Sequence, residues 1–176
     1  MEEKLLEIKD LSVEYTTDED VVKAVNHVSL TLNKGETIGL VGETGAGKTT
    51  LALSLMRLLP KVSGRITGGE IMFNGKDLVK AAEEDMRKVR GEKISMIFQD
   101  PMTSLNPVLT VGNQIGEALE LHMDLTPEEK QERIDEMLKL VGIAKSRKKD
   151  YPHQFSGGMK QRVVIAMALA CKPELL

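Results

Sequence analysis

Residues 42–49 read GETGAGKT and fit the phosphate-loop pattern G-x-x-x-x-G-K-[ST], with Gly42, Gly47, Lys48 and Thr49 on its fixed positions. The pattern demands a strand running into a tight glycine turn and a helix leaving it. The glycines allow positive φ, so successive N–H groups converge on a phosphate, and the helix N-terminus aims its free N–H groups and dipole at the same anion. Lys48 supplies a point charge for terminal phosphates, and the Thr49 hydroxyl is placed to ligate Mg²⁺.

The flanks have the required character. Glu36–Val41 (ETIGLV) is a short apolar run that suits a buried strand, and Thr49–Leu59 has the length and spacing of a helix stopped by Pro60. The plainer reading is a glycine-rich turn capping an ordinary helix, but a chance match to the full pattern in a chain of this length is rare, and the strand–loop–helix context is the one the motif requires. The octapeptide predicts nucleoside triphosphate binding through Gly42, Glu43, Thr44, Gly45, Ala46, Gly47, Lys48, Thr49 and Thr50.

Composition narrows the class. Hydrophobic content of 41% and charged content of 29% over 176 residues are those of a soluble globular chain with one packed domain or a domain with an inserted subdomain. A net charge of −3 gives no reason to expect nucleic acid as a partner. The N-terminus lacks a basic-then-apolar signal segment, and Val163–Cys171, the longest apolar run, is too short to span a bilayer. A single cysteine, Cys171, forms no internal disulfide and suits a reducing cytosol. A cytoplasmic chain is expected, docking on another protein if it works at a membrane.

Residues 4–15 and 21–32 each alternate like a strand or two, and Glu70–Phe73 with Asn74-Gly75 reads as a short strand and tight turn, after punctuation at Ser63-Gly64 and Gly68-Gly69. Glu83–Arg90 reads as a charged helix and Ile94–Phe98 (ISMIF) as a buried strand. From Asp100 the pattern turns helical: Val111–Leu121, then a helix opened by Thr126-Pro127-Glu128-Glu129 and stopped at Gly142, then one from Ser156 ending before Pro173. Lys145, Arg147, Lys148 and Lys149 read most simply as a solvated face and helix end, and His27, His122 and His153 as structural.

At the last helix the sequence reads PHQFSGGMKQR, residues 152–162. Ser156-Gly157-Gly158 at a helix start offers a hydroxyl and unobstructed N–H groups at a positive dipole end. Ser is also among the commonest N-caps, so these residues alone leave an anion site and an ordinary cap evenly matched.

Together with the phosphate loop, this stretch resembles the signature of the ATPase subunits of ATP-binding-cassette (ABC) transporters, with Phe155 and Met159 in place of the commoner Leu and Gln. Tyr15 lies where the family's adenine-stacking aromatic lies, although a strand aromatic packing a core edge would look the same. Gln99 matches the glutamine that contacts Mg²⁺ and relays nucleotide state. Phe98–Gly112 (FQDPMTSLNPVLTVG) resembles the importers of dipeptides, oligopeptides and nickel in particular.

The resemblance implies an α/β fold. A P-loop NTPase (RecA-like) core would carry an N-terminal antiparallel β subdomain and an inserted helical subdomain, with residues 1–99 forming the first two parts and 100–170 the helical block. It implies ATP and Mg²⁺ as ligands, with Lys48 and Gln99 serving catalysis and Thr49 and Gln99 the metal. It also implies a second ATPase subunit, identical or homologous, facing head to tail so that Ser156, Gly157, Gly158 and Met159 meet its nucleotide. Two permease subunits would dock near Gln99 and Met102–Val111, and an extracytoplasmic solute-binding protein would act indirectly, placing the chain on the cytoplasmic face of the membrane. The family's metal-holding aspartate and catalytic glutamate follow a strand of which Lys172–Leu176 (KPELL) would be the start. The C-terminal part of the core is accordingly expected to be missing. The alternative function is a nucleotide-binding fragment without hydrolysis; a ribosome- or DNA-acting relative, or a small-molecule kinase or GTPase, fits the motifs less well.

Overall fold

The computed structural model describes residues 3–18 and 20–176; Met1, Glu2, Glu19 and the side chains of Pro101 and Met102 lie outside the described residues, and so does the part of the expected docking stretch that rests on Met102. The chain divides into two compact units, residues 1–86 and 87–176.

The first unit is built on an antiparallel sheet in the order β2-β1-β3-β4. Each alternating stretch is one long strand, β1 (Lys4–Thr16) and β2 (Val21–Asn33). Strict alternation would turn Leu11 away from the face holding Ile8. Asp10 and His27 instead take positive φ (both 52°), and the pairing shifts register between Ile8↔Leu30 and Leu11↔Val28. The extra residue in each strand keeps Ile8, Leu11, Val13 and Val25 on the buried face. Asp10 and His27, both exposed, meet at 2.8 Å beside the bulge.

β3 runs from Gly64 to Phe73, longer than the sequence suggested, because the glycines expected to break the chain serve the ladder. Gly69 (φ 89°) sits so close to β1 that a Cβ would lie 2.5 Å from the Asp10 carbonyl oxygen. Asn74 and Gly75, both at positive φ, form the hairpin turn to β4 (Lys76–Asp77). Helix α1 (Lys48–Leu55) lies against β1 and β2. It ends before Pro60 is reached: Arg57 adopts φ 51°, and N–H groups of Arg57 and Leu58 donate back to Ser54 O (3.1 Å) and Leu53 O (2.9 Å) in a Schellman closure.

Two expected buried strands are not found as such. Residues 36–41 pair with no strand among the described residues and are exposed, Val41 at 98%. Residues 94–98 form only isolated bridges at Ile94, parallel to Arg90 and Leu175, and the Ser95 N–H donates to Leu175 O at 2.9 Å. Ile94 is buried, whereas Phe98 is about half exposed. An apolar run states a preference for burial, but a ladder also needs backbone partners alongside.

Helix α2 (Glu83–Glu92) kinks at Arg90-Gly91 and leads into the second unit. There α3 (Val111–His122), α4 (Pro127–Leu140) and α5 (Gly157–Leu169) enclose a core of Val111, Ile115, Leu119, Ile134, Leu138 and Val163 among others. The expected helix starts are observed: Thr110 caps α3, Thr126 and Glu129 form a reciprocal capping box on α4, and Ser156 caps α5. Gly142 (φ 72°) closes α4 with Ile143 N–H donating to Leu138 O at 2.8 Å. α5 ends four residues short of Pro173. Cys171 is buried behind it, donates to Ala118 O at 3.4 Å, and has its thiol pKa pushed up by that burial, as a packing residue should.

Candidate functional site: the phosphate loop and the signature helix

In the first unit, residues 42–47 wrap around the N-terminus of α1. Gly45 (φ 85°) and Gly47 (φ 82°) supply the two left-handed positions. At Gly47 the constraint is double: a Cβ would lie 2.1 Å from the backbone oxygen of Ala24 on β2. The sheet thus presses on the loop where the pattern fixes glycine. The Lys48 ammonium folds back into the loop and donates to the carbonyl oxygens of Gly42 (2.7 Å) and Glu43 (2.6 Å). A cation is therefore held within the loop, resting on two of its carbonyl oxygens.

Thr44, Ala46 and Thr49 are exposed, so the Thr49 hydroxyl is open to solvent at the first turn of α1. Thr50 is buried instead, facing the sheet. Its hydroxyl receives a long hydrogen bond from the Tyr15 hydroxyl (3.4 Å), and its carbonyl accepts from Ser54 Oγ at 2.7 Å. Tyr15 is half-buried opposite Gly64, where a Cβ would come within 2.9 Å of the tyrosine ring. The aromatic therefore stands at the edge of the loop-bearing helix, fixed from one side by a glycine.

The second unit carries the other site residues. Gln99 is exposed at the bend between residues 94–98 and the short 3₁₀ turn Pro101–Ser104. Ser156, Gly157 and Gly158 are exposed at the start of α5, with Ser156 Oγ accepting from Met159 N–H at 3.4 Å. A Cβ on Gly157 or Gly158 would meet nothing within 4 Å, and neither takes positive φ. Nothing inside the described chain requires those two glycines, whereas Gly47 is required by its own fold.

Sequence reasoning missed three side chains. Arg147 and Lys148, read as solvated, are both engaged. Lys148 pairs with Asp135 on α4 at 2.7 Å. Arg147 binds Asp150 Oδ2 through Nε (2.7 Å), donates to Gln154 O (3.0 Å) and Met159 Sδ (3.4 Å), and lies over the Phe155 ring, 4.3 Å from its centroid. The only sequence hint is the Arg147/Asp150 spacing. Gln114 is buried on α3 and clamps residues 106–109, donating to the carbonyls of Asn106 and Leu109 (both 3.0 Å) and accepting from Asn106 N–H (2.8 Å). A polar residue within the apolar stripe of α3 was its one legible signal.

His27 pairs with Asp10 at 2.8 Å and His153 stacks on the ring of Tyr151, while the His122 ring lies so close to Gly91 that a Cβ there would come within 2.6 Å of Nε2. Among the described residues, no helix is long and apolar enough to cross a membrane.

This geometry agrees with the comparisons. The ABC transporter family profile matches residues 25–176. The chain is 52% identical over 176 residues to the dipeptide transport ATP-binding protein DppD of Bacillus subtilis, covering 99% of this chain and 52% of that protein. It is 51% identical over 174 residues to the oligopeptide transport ATP-binding protein OppD of Escherichia coli, covering 98% of this chain and 51% of that protein. The chain thus spans about half the length of the curated relatives it matches. Among solved structures, the dimeric post-hydrolysis state of the ATP-binding cassette MJ0796 bound to ADP and Pi superposes with a TM-score of 0.83 at 28% identity, covering 96% of this chain and 71% of that one. The phosphate loop opening α1, the SGG-capped α5 and these matches lead to one assignment: the chain belongs to the ABC transporter family.

Proposed function

We propose that this chain is the ATP-binding part of a subunit that energises import of peptides, or of nickel or a related solute, by ATP binding and hydrolysis. The observation that carries the proposal is the loop 42–47 wound onto α1, with the Lys48 ammonium resting on two loop carbonyls. The names of the relatives direct it to peptide transport.

In this reading the N–H groups of residues 43–49 bind the β- and γ-phosphates, and Lys48 leaves its carbonyls to bridge them. Tyr15 stacks on the base. The exposed Thr49 hydroxyl and the exposed Gln99 amide are each oxygen donors of the kind Mg²⁺ takes, and would hold the ion in this reading. When bound, Mg²⁺ neutralises charge on the transferring phosphoryl group. Ser156, Gly157, Gly158 and Met159 present the N-terminus of α5 to the nucleotide of a second subunit, arranged head to tail. Glycines that their own fold does not require suit a surface that another molecule approaches closely. Closure of that pair would drive two permease subunits docked near Gln99 and residues 103–111, with a solute-binding protein delivering cargo outside. The chain then works as a peripheral protein on the cytoplasmic face of the membrane.

The test uses the full gene product carrying these residues, assembled with its permease subunits in liposomes. Lys48→Ala should abolish ATP-driven peptide uptake and lower turnover by about a hundredfold or more, the usual loss when a preorganised phosphate or oxyanion donor is removed. Undiminished uptake by Lys48→Ala would overturn the proposal.

A further inference from the structure

Of the groups that the function leaves unused, Arg147 has the densest set of contacts beside a site residue. Its guanidinium reaches both flanks of Ser156-Gly157-Gly158. On the leading side it donates to Gln154 O at 3.0 Å and covers the Phe155 ring at 4.3 Å. On the trailing side it donates to Met159 Sδ at 3.4 Å, and Met159 N–H is the group that donates to Ser156 Oγ. Asp150 fixes the fork through Nε at 2.7 Å. Asp150 is itself tied to α3, because its carbonyl accepts from Val111 N–H at 2.9 Å. Arg147 also rests on a short 3₁₀ turn, Lys145–Lys149, whose neighbour Lys148 is paired to α4.

One planar side chain thus connects the start of α5 to α3, beside a Phe155 buried in the helical core, while Ser156, Gly157 and Gly158 themselves lie exposed. A lysine could keep the charge near Asp150, but its single compact ammonium could not span the acceptors that Nε, Nη1 and Nη2 reach separately, or lay a planar face on Phe155.

We propose that Arg147 is a positioning residue for the nucleotide-facing end of α5: it holds Ser156 and the Met159 N–H in the orientation that a phosphate of the second subunit's nucleotide requires. The proposal rests on the shared-site reading above. It assigns Arg147 no contact with the nucleotide.

The experiment compares Arg147→Lys and the milder Asp150→Asn in the full gene product. It follows nucleotide binding to the dilute subunit, the ATP concentration at half-maximal dimerisation, and kcat and KM. The expected result is unchanged binding to the dilute subunit, with the dimerisation midpoint and KM raised about tenfold for Arg147→Lys, as when one charged hydrogen bond is lost, and a smaller rise for Asp150→Asn. A role in stability alone would reduce the active fraction, lowering kcat and leaving the midpoint where it was. An unchanged midpoint in both variants therefore overturns the proposal, whatever happens to kcat. Lys48→Ala separates the two levels. If it abolishes binding to the dilute subunit while both test variants keep the wild-type midpoint, only the role of Arg147 fails. If it leaves that binding intact, the phosphate-loop reading fails, and the proposal falls with it.

Discussion

Gly47 and Gly157 are both glycines at the start of a helix, and the structure gives them opposite reasons to be there. A methyl group at Gly47 would meet the Ala24 carbonyl oxygen at 2.1 Å, on a backbone at φ 82°. Gly47→Ala should cost about 1–3 kcal/mol for the backbone conformation alone, with the clash added, and the displaced loop should lose ATP affinity. At Gly157 the same methyl group meets nothing within 4 Å. Gly157→Ala should leave the melting temperature within about 2 °C of wild type and still weaken ATP-driven dimerisation, because only an approaching molecule would feel the change. Thermal melts with and without ATP, alongside sedimentation of the dimer, check both. A Gly157→Ala protein that melts early, or that dimerises normally, would remove the distinction. The phosphate loop was legible in the sequence because its requirement is local: the pattern fixes glycine where the backbone must turn. Arg147 was legible only in its spacing to Asp150, since Gln154, Phe155 and Met159 are brought around one guanidinium by the fold.

At the scale of elements, α4 shows what local sequence can specify. The Glu129 carboxylate accepts from Thr126 N–H at 2.8 Å while Thr126 Oγ1 accepts from Glu129 N–H at 3.2 Å. The backbone hydrogen bond from Thr126 holds the Glu129 carboxyl below its ordinary pKa. A carboxylate depressed in the folded state contributes stability above its unfolded pKa and loses it as pH falls through the folded value. Glu129→Gln should therefore be less stable than wild type at pH 7, and the gap should close below about pH 4. Thr126→Ala removes the other half of the box and should cost about 1 kcal/mol at pH 7. Urea unfolding across a pH series tests both; a Glu129→Gln deficit that persists unchanged in acid would refute the linkage. Caps such as Thr126 and Ser156 could be read directly because donor and acceptor lie within three residues. Strand status at 36–41 and 94–98 could not. Ile38, Leu40 and Phe98 are as apolar as buried strand residues, but a ladder is completed by backbone elsewhere, and Ile94 makes only isolated parallel bridges, to Arg90 and Leu175.

Across the whole molecule, the two halves of the proposed site belong to different units: the phosphate loop to residues 1–86, and Ser156 to residues 87–176. In the proposed shared site, nucleotide at the loop protects that loop in a single chain, and Ser156 only once a second copy is engaged. Amide exchange of the full gene product with a non-hydrolysable ATP analogue separates these effects. At a dilution where the protein is monomeric, analogue at a hundred times its Kd should slow exchange of residues 43–50 by about a hundredfold, where exchange requires nucleotide release, and leave residues 156–160 unchanged. At concentrations where the proposed dimer forms, residues 156–160 should slow as well, because in that arrangement the α5 N-terminus would close over the other subunit's nucleotide. Lys48→Ala should remove both effects. Protection of residues 156–160 at the monomeric dilution would mean that one chain holds the nucleotide with both motifs, and the head-to-tail arrangement would be wrong. Protection confined to 43–50 at every concentration would reduce Ser156 to the ordinary helix cap that its sequence equally allowed.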